Sequence, residues 1–170
     1  MQQVDCVYPE DKKERYELLL KQMDMVLDGE TDVIANLSNT SALLNEALQG
    51  INWVGFYLMK QGELLLGPFQ GKLACIHIKV GRGVCGTAVA TKEIQLVKDV
   101  HEFPGHIACD SASNSEIVLP MMRNDRVIGV LDIDSPEFDR FDETDAKYLE
   151  ELTKKLVTAC DWTNCGGYDF

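Results

Sequence analysis

Three cysteines in segments that also carry glycine or histidine are the residues of this chain best suited to chemistry. Cys75, Cys85 and Cys109 lie in the segments LACIHI, GRGVCGTA and FPGHIACDSASNSE. None of them belongs to a C-x-x-C pair, so the common zinc and thioredoxin signatures are absent. Because the thiolate is the reactive form of cysteine, these residues indicate thiol chemistry that neighbouring groups would activate.

The segment around Cys109 favours a reactive thiol. From Asp99 to Ser113 the sequence shows no clear helix or strand pattern, and long irregular loops in compact domains are often functional. It places His106 close upstream of Cys109 and Asp110 next to it. A nearby imidazolium or helix amides would lower the pKa of the thiol and make it a good nucleophile. The alternative, a buried and inert cysteine, stays open on this local sequence.

Cys85 follows a glycine-rich turn and lies at the start of a short predicted helix near 87–91. The amide dipoles of such a helix start would lower the pKa of the thiol. An anion could bind the same turn. The segment GRGVCG matches neither the dinucleotide-binding nor the P-loop pattern, however, so a plain glycine turn is the favoured interpretation.

Histidines and cysteines together raise the question of a metal site. His77, His101 and His106 are of a type that binds zinc, as are the three cysteines. Structural zinc sites usually show closely paired ligands, whereas these cysteines lie in separate segments. The sequence therefore predicts no metal and no cofactor.

Three carboxylates lie in two neighbouring predicted strands. Glu116 opens the first strand, while Asp132 and Asp134 lie in the second, in the segment VLDIDS. Residues i and i+2 of a strand share a face, so Asp132 and Asp134 are predicted to project together, opposite Leu131 and Ile133. Two adjacent acids are costly unless they hold a proton or bind a cation. A solvent-facing pair on an exposed strand stays open as the alternative.

Two aromatic residues, Trp53 and Tyr57, are four positions apart in a predicted strand and share one face of it. They would form an aromatic wall for a ligand. Ordinary core packing produces the same pattern, and taken alone the spacing favours packing.

The predicted fold class is α+β, with one domain over residues 1–170. N-terminal helices occupy 1–50, the sheet, active-site loops and closing helix occupy 51–161, and 162–170 form a tail. The sheet is antiparallel, with about six strands; helices pack on one face and a loop-covered pocket lies on the other. The predicted strands are 52–60, 63–66, 74–80, 95–97, 116–122 and 127–133. In the third of these, Ile76, Ile78 and Val80 are predicted to share one side, with Cys75 and His77 on the other.

The composition excludes several classes of partner. A formal net charge of −12 argues against nucleic acid and anionic membranes, which attract clustered Lys and Arg. The longest apolar runs are too short to span a bilayer. The N-terminus lacks the pattern of a signal peptide, so we expect a cytoplasmic protein whose cysteines start as thiols.

Taken together, these motifs resemble the free methionine-(R)-sulfoxide reductases, enzymes built on a GAF domain. The matching stretches are INWVGFYL, LGPFQGKLAC, GRGVCGTAVA, DVHEFPGHIACDSASNSEIVLPM and VIGVLDIDSP. The resemblance implies that Cys109 attacks the sulfoxide sulfur of free L-methionine-(R)-sulfoxide and becomes a sulfenic acid. It further implies that Cys75 resolves this acid as a disulfide that a thioredoxin-type reductant reopens. Cys85 would have a supporting or alternative resolving role.

The resemblance also assigns the remaining candidates. The substrate ammonium would be bound, and the sulfoxide oxygen protonated, with the help of Glu116, Asp132 and Asp134. The methyl end of the substrate would lie against Trp53 and Tyr57. Carboxyl chemistry agrees with these roles, since a carboxylic acid of raised pKa can donate a proton and paired carboxylates can bind an ammonium. The resemblance is compatible with a homodimer.

Two rival functions share parts of this pattern, namely a GAF module that binds a ligand without catalysis and a thiol redox sensor. Simple ligand binding gives no reason for three thiols, whereas a redox sensor would share the Cys75–Cys109 disulfide and is separated from the enzyme only by turnover of methionine sulfoxide. The other cysteines have no role in the family: Cys160 is predicted to pack in the last helix, and Cys6 and Cys165 are candidates for a pair under oxidation. No catalytic part is predicted for these three.

Overall fold

Along the chain, two helices precede the strands of an antiparallel sheet, a third lies among them and a fourth follows them in the computed structural model, which describes residues 7–106 and 110–170. Within these residues the helices are α1 (Lys12–Leu27), α2 (Val33–Ala47), α3 (Gly83–Thr91) and α4 (Glu143–Ala159). The strands are β1 (Trp53–Lys60), β2 (Glu63–Gly71), β3 (His77–Lys79), β4 (Gln95–Val97), β5 (Ser115–Arg123) and β6 (Arg126–Ser135). Short 3₁₀ turns cover Val100–Glu102 and Trp162–Asn164.

The six strands form one sheet in the order β3-β2-β1-β6-β5-β4, and every neighbouring pair is antiparallel. In the centre, β6 lies between β1 and β5. Asp134 is opposite Trp53 on one side and opposite Glu116 on the other, and Asp132 is opposite Gly55. The register therefore brings acids from two strands and an aromatic residue from a third to one place.

Alternation along the central strands separates two cores. Odd and even positions of a strand point to opposite faces. Phe56, Leu131 and Ile133 belong to the larger core, which also contains buried residues of α1, α2 and α4. Trp53 and Val130 belong to a second cluster with residues of α3. We call these the helix face and the pocket face.

The α+β fold with a six-stranded antiparallel sheet is confirmed. The prediction did not place a helix on the pocket face, where α3 packs. A short apolar segment after a glycine turn indicates a helix but not the side of the sheet on which it packs.

A capping box starts α4 and helps to tie the helices together. Asp142 accepts hydrogen bonds from the backbone N–H of Thr144 and Asp145, and the Asp145 carboxylate accepts one from the backbone N–H of Asp142. The carboxylate of Asp145 is fully buried and accepts from Tyr16 Oη at 2.7 Å and from Lys12 Nζ at 2.7 Å. One carboxylate therefore joins the start of α4 to α1.

The strand predicted over 74–80 is too long, although the predicted alternation holds where the strand forms, since Ile78 is buried and His77 is exposed. Only His77–Lys79 pairs with β2, at the edge of the sheet. Ile78 is buried, whereas Ile76 and Val80 are 61% and 41% exposed because they lie on either side of the short strand. Cys75 consequently lies in the loop between β2 and β3 rather than on a strand face. β2 is longer than predicted and reaches Gly71.

The C-terminal residues leave the helix and pack back on the domain. Trp162 is buried in the helix-face core, and its ring meets the Phe170 ring edge-on at 4.9 Å. The backbone N–H of Asp169 donates to Met59 O at 2.9 Å. Cys160 ends α4 and is buried, as predicted. Cys165 is a free thiol and Cys6 lies outside the described residues, so their pairing stays a prediction.

In the part of the chain that the structure describes, no helix combines the length and the apolar character needed to cross a membrane.

Candidate active site

A pocket opens on the pocket face, between the ends of the central strands, the start of α3 and two loops. The loops are the segment after β2 and the segment before β5. Six of the eight predicted site residues line this pocket: Trp53, Tyr57, Cys85, Glu116, Asp132 and Asp134. The structure thus brings together residues that are up to 81 positions apart in sequence, Trp53 and Asp134.

The acids form a buried cluster. Glu116 and Asp132 are each 6% exposed, and Asp134 is half-buried beside them. The prediction that Asp132 and Asp134 share a face opposite Leu131 and Ile133 is confirmed, since the two apolar residues lie in the helix-face core. The alternative of a solvent-facing pair is wrong because α3 and the loops cover this end of the strands.

Burial decides the charge of this cluster. It raises the pKa of Asp132 to about 6, and hydrogen bonds with Cys85 and Glu116 act in the opposite direction. It raises the pKa of Glu116 further above the ordinary range, together with the neighbouring charges of Asp132 and Asp134. Burial and the charge of Asp132 also raise the pKa of Asp134. The hydrogen bond between the two acids lowers the pKa of Asp132 and raises that of Glu116, so a proton that they share is held preferentially by Glu116.

One acceptor of this cluster is unsatisfied. Among the described residues, Asp132 Oδ1 is buried and has no hydrogen-bond partner. Ligand atoms of Cys85, Glu116 and Asp132 lie within 4.8 Å of one another. Because a buried acceptor without a partner is costly, the pocket suits a ligand that brings a donor, such as an ammonium or a protonated oxygen.

Cys85 differs from its prediction. It lies in the first turn of α3 but is only 4% exposed, and burial raises the pKa of its thiol, as do the adjacent Asp132 and Glu116. The predicted lowering of this pKa by helix amides is wrong because desolvation and two acids outweigh the dipole. The side chain is a neutral thiol that donates to Asp132.

Two glycines allow α3 to lie this close to the sheet. Gly83 has a φ of +60°, in the left-handed region that favours glycine. At Gly86 a Cβ atom would collide with Lys79 O, so only glycine allows the helix to lie against β3. The interpretation of GRGVCG as a glycine turn is therefore confirmed.

Cys75 is disulfide-bonded, whereas Cys85, Cys160 and Cys165 are free thiols. It is half-buried in the loop beside the pocket and packs against the second cluster. Cys109, the predicted attacking residue, lies outside the described residues.

The two aromatic residues line the pocket and also hold the Cys75 loop. Trp53 stacks on Tyr57 at 5.9 Å and on Phe69 at 5.2 Å between ring centroids. The indole N–H of Trp53 donates to Lys72 O at 3.1 Å, and the hydroxyl of Tyr57 donates to Cys75 O at 3.0 Å. Their predicted common face is confirmed, and the packing and pocket interpretations both hold because each ring is buried and borders the pocket.

Sequence reasoning missed a polar group that connects the two loops. Asn52 Nδ2 donates to Asp110 Oδ2 at 3.2 Å and to Ser113 Oγ at 3.1 Å, and Lys72 Nζ lies 3.4 Å from Asp110 Oδ2. These contacts join the loop of Cys75 to the segment that follows Cys109. A polar residue directly before the apolar strand β1 was the available signal for Asn52.

The three histidines do not gather at one centre. His77 pairs with Glu63 and His101 with Asp99, each at 2.7–2.8 Å and near the surface. The third, His106, lies in the pocket with Nε2 3.8 Å from a carboxylate oxygen of Glu116. Burial lowers the pKa of His106, which favours the neutral ring.

Comparison with known proteins identifies the family of this chain. A GAF domain model matches residues 40–159. The free methionine-R-sulfoxide reductase of Escherichia coli is 56% identical, over 86% of this chain and 88% of that protein. The reductase of the same name from Saccharomyces cerevisiae is 46% identical, over 88% of each chain. The X-ray structure of free methionine-R-sulfoxide reductase from Neisseria meningitidis in complex with its substrate superposes with a TM-score of 0.89.

That structure is 49% identical and covers 93% of this chain, with 95% of its own chain matched. The identities extend over most of each partner and are well above the level at which only a fold is shared. The chain belongs to the GAF-domain family of free methionine-R-sulfoxide reductases.

Proposed function

We propose that this protein reduces free L-methionine-(R)-sulfoxide to L-methionine. The observation that carries the proposal is the buried cluster in which a hydrogen bond with Asp132 favours the proton on Glu116, beside an aromatic wall, in a chain of this reductase family. A free amino acid offers an ammonium, a sulfoxide oxygen and a methyl group. The pocket offers a complement to each of them.

The substrate ammonium binds at Asp132 and Asp134. The orphaned Oδ1 of Asp132 gains a donor there, and the positive charge stabilises carboxylates that are otherwise costly to bury. The methyl end lies against Trp53 and Tyr57, whose stacked rings exclude water.

Glu116 supplies the proton for the departing oxygen. It is buried, burial and the adjacent carboxylates raise its pKa, and it borders the same pocket. A general acid needs a pKa near or above the working pH, which burial and the adjacent carboxylates provide here. His106 is close to Glu116 and is the group through which Glu116 would be reprotonated.

Two cysteines carry the electrons. The thiolate of Cys109 attacks the sulfoxide sulfur and Glu116 protonates the sulfoxide oxygen. The bond between this oxygen and the methionine sulfur breaks as the hydroxyl group transfers to the Cys109 sulfur, so methionine leaves reduced and Cys109 becomes a sulfenic acid. The thiol of Cys75 then attacks that sulfur, water leaves and a disulfide forms. A thioredoxin-type dithiol reduces this disulfide and restores both thiols. Support comes from Cys75, which is disulfide-bonded while Cys85 remains a buried, neutral thiol with a supporting role.

Residues 1–170 act as one catalytic unit in this proposal, with the division 1–50, 51–161 and 162–170. The protein works in the cytoplasm, where a thioredoxin system supplies electrons. Solution mass measurement distinguishes a monomer from the homodimer that is compatible with the family.

Methionine release tests the proposal. With excess dithiothreitol, the purified protein should release methionine from the (R) epimer of free methionine sulfoxide and leave the (S) epimer unchanged. Absence of methionine release from either epimer would contradict the enzyme and leave a redox sensor or a binding module.

Single-turnover experiments without added reductant separate the cysteines. Cys109→Ser should release no methionine, while Cys75→Ser should release about one equivalent and lose recycling by thioredoxin. Cys165→Ser is the matched control and should behave as the wild type. Equal yields from the Cys109→Ser and Cys75→Ser proteins would refute Cys109 as the attacking thiol.

A further inference from the structure

The segment that carries Cys75 exposes apolar side chains on both sides of the cysteine. Leu73 is 90% exposed and Ile76 is 61% exposed, and Val80 follows at 41%. Isolated exposed apolar residues need no explanation, but three within eight positions form a patch. This patch surrounds a cysteine whose disulfide has to be reopened in each catalytic cycle.

The same segment is cationic in a strongly acidic chain. Residues 72–82, KLACIHIKVGR, contain Lys72, Lys79 and Arg82 and no Asp or Glu, whereas the whole chain has a formal net charge of −12. All three basic side chains are exposed. Lys72 is paired with Asp110 and His77 with Glu63, whereas Lys79 and Arg82 form no ion pair with any described residue. A positive area on a negative protein attracts an acidic partner and orients it during encounter.

The segment is held in place rather than free. Trp53 and Tyr57 donate hydrogen bonds to the carbonyls of Lys72 and Cys75, and the N–H of Leu66 donates to Ile76 O at 2.9 Å. The backbone is therefore anchored from the pocket side, which leaves the side chains of Leu73 and Ile76 pointing into solvent. A surface that is ordered before binding loses less entropy when a partner docks.

We infer that the exposed face of residues 72–82 is the docking surface for an acidic protein dithiol, the reductant of the catalytic cycle. The inference rests on the proposed function, which supplies the disulfide. The apolar patch around Cys75 meets the apolar surroundings of the partner's attacking cysteine, and Lys79 and Arg82 meet its acidic rim.

Docking on this face determines which sulfur is attacked. The partner's thiolate attacks the sulfur of Cys75, forms a mixed disulfide and releases Cys109 as a thiolate. The partner's second thiol then attacks its own sulfur in the mixed disulfide and releases Cys75. Two electrons pass to this protein, and the partner leaves as a disulfide.

Two reductants test the surface. Ile76→Asp and Lys79→Glu should each lower kcat/KM for thioredoxin, regenerated by thioredoxin reductase and NADPH, by about tenfold, equivalent to about 1.4 kcal/mol. Turnover driven by excess dithiothreitol should stay within about twofold of wild type, because a small thiol needs no docking surface. Raising the salt concentration should slow the thioredoxin reaction and spare the dithiothreitol reaction.

Matched controls come from α1, on the opposite face of the sheet. Met25 is 71% exposed and Lys21 is exposed, so Met25→Asp and Lys21→Glu make the same chemical changes far from Cys75. They should leave both reactions unchanged.

Other results would overturn the docking surface. Wild-type thioredoxin kinetics in both surface variants would do so, as would an equal loss with dithiothreitol, which would mean a structural defect. A wild-type enzyme that turns over with dithiothreitol but not with thioredoxin would also reject the proposed partner while leaving the activity intact. Only failure with dithiothreitol itself would count against the proposed function.

Discussion

The two faces of the central sheet are built from the same strands but bury different kinds of side chain. On the helix face, Phe56, Leu131 and Ile133 are fully buried among apolar residues of three helices. On the pocket face, positions next to them in sequence bury carboxylic acids, one of which has an oxygen without a partner. Burial on the first face stabilises the fold, whereas burial on the second face costs stability.

The difference shows how the domain can hold reactive acids. Three adjacent carboxyl groups with raised pKa values lower the stability of the folded state. A small domain retains them only if the rest of its core compensates. The helix face supplies that compensation through the apolar packing of the sheet against three helices. Substitutions on the pocket face and on the helix face should therefore have different effects on activity and on stability.

The largest effect is expected on activity, from the pocket face. Glu116→Gln keeps the shape and removes the proton donor, so the single-turnover rate should fall by about 10²–10⁴-fold. In the wild type the rate should decline as pH rises through the raised pKa of Glu116, because the general acid must be protonated, and this decline should be absent in the variant. Rapid-quench measurement of methionine release over pH 5–9 tests both statements.

Glu93→Gln, at an exposed position after α3, is the control and should keep the wild-type rate and pH profile. If Glu116→Gln retained the wild-type rate, the proton would have to come from another group, and Asp134 would be the next candidate.

The next effect separates the faces by the sign of the stability change. Leu131→Ala removes a fully buried side chain on the helix face and should lower the free energy of unfolding by about 2–5 kcal/mol at any pH from 5 to 8. Glu116→Gln should instead raise it, by about 1–2 kcal/mol at pH 8, since it removes a buried acid.

The pH dependence follows from the raised pKa of Glu116. Between the ordinary carboxyl pKa and the raised one, the folded state binds more protons than the unfolded state, so wild-type stability falls as pH rises through that window. The gain from Glu116→Gln should therefore shrink at pH 5. Urea unfolding at pH 5 and pH 8 measures all three proteins, and a loss of stability in Glu116→Gln at pH 8 would contradict the comparison.

The smallest effect concerns the hydroxyl of Tyr57. Tyr57→Phe keeps the ring of the pocket wall and removes the hydrogen bond to Cys75 O. The disulfide should then form about 3- to 10-fold more slowly after the first turnover, because losing a hydrogen bond costs about 1 kcal/mol and frees the loop. Methionine release in the first turnover should be unchanged. Quenched-flow thiol trapping follows both steps, and an equal slowing of both would assign the hydroxyl to substrate chemistry instead.

Local patterns were sufficient where a single strand determines the outcome. The alternation in VLDIDS placed Asp132 and Asp134 opposite Leu131 and Ile133, as the structure has them. The same reasoning failed for Ile76 and Val80, because alternation does not reveal how many residues find a pairing partner at a sheet edge.

Long-range contacts account for what the sequence did not reveal. Burial of the Cys85 thiol raises its pKa, and so does the charge of Asp132, 47 positions away; together they outweigh the local helix dipole. Asn52 and Asp110 meet across 58 positions, and no short pattern marks that contact. The position of Glu116 opposite Asp134 depends on the register between β5 and β6.

That register also determines where this domain can tolerate a change in chain length. One residue inserted between Gly129 and Leu131 would rotate the rest of β6 by half a turn, which would drive Asp132 and Asp134 into the apolar core and expose Ile133 to the pocket. An insertion at the hairpin turn, where Asn124 and Asp125 have left-handed φ values of 49° and 61°, would leave the pairing beyond it intact. Length variation among descendants of this sequence should therefore collect at the turn and be absent from the last half of β6.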